Sequence, residues 1–169
     1  MRLININGPI NSGKTTISKM LVKEIPNAEL YEIDALVSWQ EVQDKKLEYF
    51  EAAEMRLSKF DNLLIKTIQS GQNDIIVSYP LDEKNYLRWT SVIKNKAEFI
   101  SITLAPQREV FLKDRGTRDL NDNERLHINE MYDEGYASPK NTDLIIDNSK
   151  QTPEETLRVI LDYLNKTDM

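Results

Sequence analysis

Short apolar runs of strand length alternate along this chain with longer stretches whose apolar residues recur every third or fourth position. Arg2–Asn7, with Leu3, Ile4 and Ile6, reads as a first strand, and residues 14 to about 25 as the helix that follows. Pro26-Asn27 breaks that pattern, and 28–33 reads as a second strand. From about 48 to 70 the spacing of Ala53, Leu57, Phe60, Leu64 and Ile68 predicts a long helix with those residues on its buried stripe and Gly71 as its stop. Residues 74–79 form an apolar run closed by Pro80, a buried strand, before a helix over about 83–95 and a strand over 98–104. Pro106 is placed to open the next helix at its first turn. A polar helical stretch covers 123–132. The last cycle is a strand at 144–146 and a helix over 153–165, with Thr152 and Glu155 spaced as a capping box.

Strands separated by helices imply right-handed crossovers and a parallel sheet covered on both faces. The expected fold is therefore α/β, three layers around a five-stranded parallel sheet, with residues 1–169 as one domain. A composition of 40% hydrophobic and 30% charged residues suits a globular chain. The absence of cysteine excludes disulfides, a thiol nucleophile and a Cys-ligated zinc. No apolar run approaches the roughly 18 residues of a membrane helix. Met1-Arg2 passes straight into the first strand without a signal-like apolar region, so the reading is cytoplasmic. A net charge of -6, scattered rather than massed, argues against nucleic acid as a partner. No feature of the sequence marks an oligomeric state.

The chemistry enters at Gly8-Pro9-Ile10-Asn11-Ser12-Gly13-Lys14-Thr15, which fits G-x-x-x-x-G-K-[ST] in full between a strand and a helix. Gly8 and Gly13 let the backbone turn tightly, so that the N–H groups of the loop, Asn11 and Ser12 included, approach phosphate oxygens. The helix start adds unpaired N–H groups and the positive end of its dipole. Lys14 sets a charge on the β- and γ-phosphates, the Thr15 hydroxyl is a ligand for Mg²⁺, and Thr16 lies toward the α-phosphate. The expected fold is thus a P-loop NTPase fold, with ATP and Mg²⁺ as cofactors.

A P-loop at the N-terminus of one alternating α/β domain of this size resembles the small P-loop kinases. These include the shikimate, gluconate and adenylylsulfate kinases and the chloramphenicol phosphotransferase and tunicamycin-resistance type. The resemblance spans nearly the whole chain. It implies an acidic residue at the end of the second strand that takes a proton from the attacking hydroxyl. Asp34 is the residue so implied, with Glu32 near the metal. By strand parity the two side chains point to the same side. Asp34 also suits the N-cap of a following helix, a role compatible with the first.

The same resemblance implies a helix end and lid at Leu112-Lys113-Asp114-Arg115-Gly116-Thr117-Arg118, the lid reaching from about 115 to 125. Arg115 takes the nucleotide contact and Arg118 the transferred group, with Arg108 and Arg125 as further candidates. Each equally suits a surface pair with Asp114, Asp119, Asp122 or Glu124. The loop Asp147-Asn148-Ser149-Lys150-Gln151 matches one that contacts adenine, or is a plain connection.

The third strand ends Ser78-Tyr79-Pro80-Leu81 rather than in an acidic or Gly-Gly motif, and Asp74 lies at its start, the wrong end for a metal ligand. His127, the only histidine, falls in a polar stretch and reads as a surface residue. Trp39, Tyr49 and Phe50 suit either a ring-bearing acceptor or the core. Arg56 and Arg88 suit either an anionic acceptor or the helix surface. The leading expectation is an ATP-dependent kinase for a small-molecule hydroxyl. A nucleoside or nucleoside-monophosphate kinase and a non-catalytic nucleotide sensor are the alternatives.

Overall fold

The computed structural model describes residues 1–71, 73–94, 96–113 and 119–167. The elements run β1 (Arg2–Asn7), α1 (Lys14–Glu24), β2 (Glu29–Glu32), a 3-10 turn (Ile33–Leu36), α2 (Trp39–Asp44), α3 (Tyr49–Ser70) and β3 (Ile75–Ser78). They continue with α4 (Glu83–Ile93), β4 (Glu98–Leu104), α5 (Arg108–Phe111), α6 (Asp122–Asp133), β5 (Leu144–Ile146) and α7 (Pro153–Thr167). All strands are parallel, in the order β2-β3-β1-β4-β5. The chain moves outward from β1 to β2, returns through β3, then crosses β1 to build β4 and β5. The order therefore reverses between β1 and β3, and ligands of open parallel sheets bind outside the carboxyl ends at such a point.

Two-residue alternation along the central strands divides the core. Ile4, Ile6 and Ile76 face α1 and α7, where they meet Ile17, Leu21, Ile160 and Leu164. Leu3, Ile75 and Val77 face the other way, against Leu57, Phe60 and Leu64 of α3 and Trp89 of α4. There an aromatic chain packs edge to face: Tyr31 on Phe60 at 5.9 Å, Phe60 on Trp89 at 5.1 Å and Trp89 on Phe99 at 6.3 Å between centroids. Such pairs contribute about 1 kcal/mol each beyond burial. This is the three-layer α/β arrangement expected from the alternation of runs.

Local signals hold where the side chains that create them are adjacent in sequence. Gly71 ends α3 in the left-handed region at φ 68. Thr152 Oγ1 accepts from the Glu155 N–H while the Glu155 carboxylate accepts from the Thr152 N–H, the reciprocal pair that starts α7.

Three expectations need correction. Pro106 does not open a helix: Gln107 is the cap and α5 begins at Arg108. β2 stops at Glu32, and the chain tightens at once into the 3-10 turn. Strand parity therefore does not relate Glu32 to Asp34, and the cap of that turn is Glu32, not Asp34. On α3 the buried alanine is Ala52, packed with Val37 and Val42, so Ala53 leaves the predicted core stripe.

Asp74 sits at the amino end of β3, as the sequence places it. Its carboxylate accepts from Arg2 Nε at 2.8 Å, from Arg2 Nη2 at 2.6 Å and from the Arg2 backbone N–H at 2.7 Å. Both side chains are 15% exposed. A charge-assisted pair of this kind ties the chain start to the sheet. Asp74→Ala is expected to lower stability by about 2 kcal/mol in a denaturant titration and to leave nucleotide affinity unchanged.

Candidate active site

At the carboxyl ends of β1, β2 and β3 the P-loop, the 3-10 turn, α3 and α6 enclose one cavity of about 960 Å³. This lies at the upper end of the roughly 300–1,000 Å³ usual for ligand sites. The P-loop takes its shape from its glycines. Gly8 has φ 133, and a Cβ there would lie 2.4 Å from Leu104 O and 2.8 Å from Ser12 Oγ. A backbone carbonyl on the neighbouring strand cannot step aside cheaply. Gly13 has φ 99 with nothing closer to its Cβ position than Asn148 Nδ2 at 3.8 Å, so its requirement is one of conformation. Gly8→Ala combines both penalties. It is expected to lower stability by about 2–4 kcal/mol and to abolish nucleotide binding, read from the shift in Tm and from its failure to rise with nucleotide.

Two asparagines brace the loop, Asn11 from within it and Asn148 from outside. Asn11, itself left-handed at φ 67, donates to Phe111 O at 2.7 Å and Lys113 O at 2.9 Å. Asn148 donates to Ser12 O at 3.0 Å from the β5–α7 connection. That connection is itself ordered: the Ser149 hydroxyl and N–H bond Asp147, holding its carboxyl below the usual range, and Ser149 Oγ accepts from the Gln107 N–H at 2.7 Å. Ser12 Oγ and Asn148 Oδ1 are buried without a hydrogen-bond partner. Buried polar atoms are nearly always paired, so orphans beside a cradle of N–H groups fit a site that a polar ligand completes.

Lys14, Thr15 and Thr16 line the cavity from the start of α1, and Lys14 Nζ donates to Pro9 O at 2.7 Å. Glu32 and Asp34 line the same cavity from two different elements, the last residue of β2 and the 3-10 turn. Glu32 pairs with Lys19 Nζ at 2.9 Å. Among the described residues no group of three or more His, Cys, Asp or Glu could hold a metal by itself. The Thr15 hydroxyl and the Glu32 carboxylate are hard oxygen donors, and Mg²⁺ bound with a nucleotide takes few protein ligands and draws the rest from phosphates and water.

Arg115 and Arg118, with Gly116, lie outside the described residues. Arg108 is tied to the surface: it bonds Asn129 Oδ1 at 2.9 Å and Asp133 at 3.0 Å and lies 5.0 Å from the Tyr132 ring centroid. Arg125 donates to Leu120 O at 3.0 Å and does not line the cavity. Arg88 is committed to Asp61 and Glu54 at 2.6 and 2.7 Å, which removes it as an acceptor contact. Arg56 does line the cavity, with Tyr49 and Ala53 beside it on α3.

Trp39 and Phe50 point outward, 74% and 82% exposed. His127 pairs with Glu130 at 3.2 Å on the surface of α6 yet also forms part of the cavity wall. Tyr79 is the residue the sequence noted without assigning. Its ring rests against Trp89 at 5.9 Å, and it lines the cavity just past the end of β3. Burial, with the negative charges of Asp34 and Asp82, pushes its phenol up to about 12. A phenol raised in this way is suited to donate a hydrogen bond into the cavity and unsuited to act as a base.

No family model and no curated protein matches the chain. Among solved structures it is similar to a gluconokinase from Sinorhizobium meliloti 1021, with a TM-score of 0.72 at 15% identity over 98% of this chain and 92% of that one. A tunicamycin resistance protein from Deinococcus radiodurans superposes with a TM-score of 0.63 at 19% identity, over 97% and 96% of the two chains. Shikimate kinase from Aquifex aeolicus does so at 0.54 and 19%, over 99% and 98%. The chain has the fold of the small P-loop kinases, as the sequence resemblance implies.

Proposed function

We propose that the protein is an ATP-dependent kinase that transfers the γ-phosphoryl group to a hydroxyl of a small molecule. The observation that carries this reading is that the P-loop and the Glu32/Asp34 pair open onto one cavity large enough for two ligands. The loop N–H groups and the start of α1 hold the phosphate chain, while Lys14 leaves Pro9 O for the better acceptor that phosphate oxygen provides. Thr15 would hold a Mg²⁺ ion through its hydroxyl, with Glu32 near the ion's waters, and the ion would supply positive charge to the phosphate chain. Asp34 accepts the hydroxyl proton as the acceptor oxygen bonds to the γ-phosphorus. The bond from that phosphorus to the β–γ bridging oxygen breaks, ADP leaves with the electron pair, and the proton passes from Asp34 to solvent.

Arg115 and Arg118 are assigned to the nucleotide and to the migrating group. Their assignment is supported by Asn11, which ties Lys113, just ahead of them in sequence, to the P-loop. The whole reading places the protein in the cytoplasm, with ATP and a small acceptor as its partners.

The test is ADP release with ATP and Mg²⁺ against sugars, cyclic hydroxy acids, nucleosides, nucleoside monophosphates and hydroxylated antibiotics. Stimulation by an acceptor supports the kinase. ATP binding without stimulation by any class favours a nucleotide sensor instead.

A further inference from the structure

Resting on the part of the kinase reading that seats a triphosphate on the P-loop, we propose that Asn11 is a positioning residue. Through its side chain, the seating of the triphosphate sets the place of α5 and α6, and so of the cavity wall that α6 provides. The motif fixes Gly8, Gly13, Lys14 and Thr15 and leaves the four residues between the glycines open. Two of these, Ile10 and Asn11, reach away from the loop to the same neighbour. Ile10 packs with Leu112 and Ala137 on the buried cluster of Phe111, Leu120 and Ile128. Asn11 Nδ2 donates to Phe111 O at 2.7 Å and to Lys113 O at 2.9 Å.

This position uses several properties of asparagine at once. Its φ of 67 lies in the left-handed region, which asparagine tolerates better than most residues with a side chain. Its amide nitrogen carries two hydrogens. The carbonyls it meets lie at the carboxyl end of α5, where the last carbonyls of a helix have no partner within it. α5 has four residues, too few to stand alone. Its amino end is held where Ser149 Oγ accepts from the Gln107 N–H at 2.7 Å, and Asn11 holds the other end.

α5 in turn carries α6. Arg108 of α5 bonds Asn129 and Asp133 of α6, and Phe111 meets the Tyr132 ring edge to face at 6.2 Å. The apolar cluster that joins the two helices is separate from the clusters on the two faces of the sheet. α6 turns Ile128 into that cluster, and His127 and Met131, one helical turn apart, into the cavity. Asn11 stands between the two parts, its backbone N–H in the phosphate cradle and its side chain on α5. When the phosphate chain draws the loop N–H groups and Lys14 leaves Pro9 O, the peptide planes beside Ile10 and Asn11 re-aim, and α5 and α6 follow. A displacement of about 1 Å in groups that position a substrate changes a rate by about 10²-fold.

The experiment is amide hydrogen exchange on the full chain, with and without Mg²⁺ and a non-hydrolysable ATP analogue. The analogue is used at a concentration that calorimetry shows to saturate each protein. In the wild type it is expected to slow exchange about 10-fold in the P-loop and α1 and also in α5 and α6. Asn11→Gly accepts the left-handed backbone without strain and loses only the side chain. There the P-loop and α1 should still respond, while the response of α5 and α6 is lost. Asn11→Asp keeps the shape but turns an acceptor toward two carbonyls, and should lose the response as well. A side chain that merely stabilised the fold would, on removal, speed exchange in α6 equally with and without the analogue and leave the response intact. That result would overturn the proposal. So would a wild-type α6 that does not respond to bound analogue, or an Asn11→Gly protein that no longer binds it, which would make Asn11 a phosphate ligand instead. Failure of the wild type to bind the analogue at all would sink the nucleotide reading itself, and the role of Asn11 with it.

Discussion

Lys14→Ala is expected to lower acceptor-dependent ADP release by about 10²- to 10³-fold, the usual consequence of removing one donor aimed at developing charge. The side chain stands at the first turn of α1 and reaches back over the loop to Pro9 O. Among the described residues that line the cavity there is no second lysine to take over the role proposed for it. The backbone N–H groups of the loop remain, so triphosphate binding should weaken more than it vanishes. Stability should change little, within about 0.5 kcal/mol, because Lys14 belongs to neither face of the core. The pair of measurements is calorimetry with ATP and Mg²⁺ alongside the ADP assay. Unchanged binding and unchanged turnover together would remove the P-loop from the function altogether, whatever the fold.

The confidence such a mutation commands comes from the kind of signal the P-loop is. Its residues are adjacent in sequence, and each is required by backbone geometry or by a phosphate oxygen. The spacing alone therefore marks Gly8 and Gly13 as the tight points of the loop before α1, and the structure has them at φ 133 and φ 99. The strands were legible for a similar reason, since a fully buried parallel strand is a short apolar run whatever packs on it.

Elements decided by distant partners were not legible. Arg56 and Arg88 look alike in sequence, each an arginine in an amphipathic helix. They part only because Glu54 and Asp61 of α3 face Arg88 of α4 across the helix pair. Periodicity over Ala52 and Ala53 could not say which alanine turns inward, because the answer lies in Val37 and in Val42 of α2. That helix has just six residues, Trp39–Asp44, too few to show a period. One local signal was available: Ser38 Oγ accepts from the Glu41 N–H at 3.1 Å, and Ser-x-x-Glu is the pattern of a helix start. Glu32 and Asp34 reach the same cavity as expected, but by a different route. The strand ends between them, and the tight turn brings Asp34 round to the side that parity had assigned to it.

That route bears on the second large effect. Asp34→Asn is expected to leave the affinity for ATP and Mg²⁺ within about twofold and to cut transfer to the acceptor by about 10²-fold or more. The substitution keeps the shape of the side chain and its place on the turn while removing its capacity to take a proton. Asp34 is exposed to the cavity and caps no helix, so the change should not disturb the turn. Glu32 provides the internal comparison. It lines the same cavity but is paired with Lys19 at 2.9 Å, and its assigned place is beside the metal. Glu32→Gln should therefore raise the Mg²⁺ concentration needed for half-maximal rate, with a smaller effect at saturating metal. Single-turnover transfer measured in both variants separates the two roles. If Asp34→Asn transfers at the wild-type rate, Asp34 is not the base. If instead Asp34→Asn is rescued by Mg²⁺ and Glu32→Gln is not, the two carboxylates have exchanged the roles assigned to them.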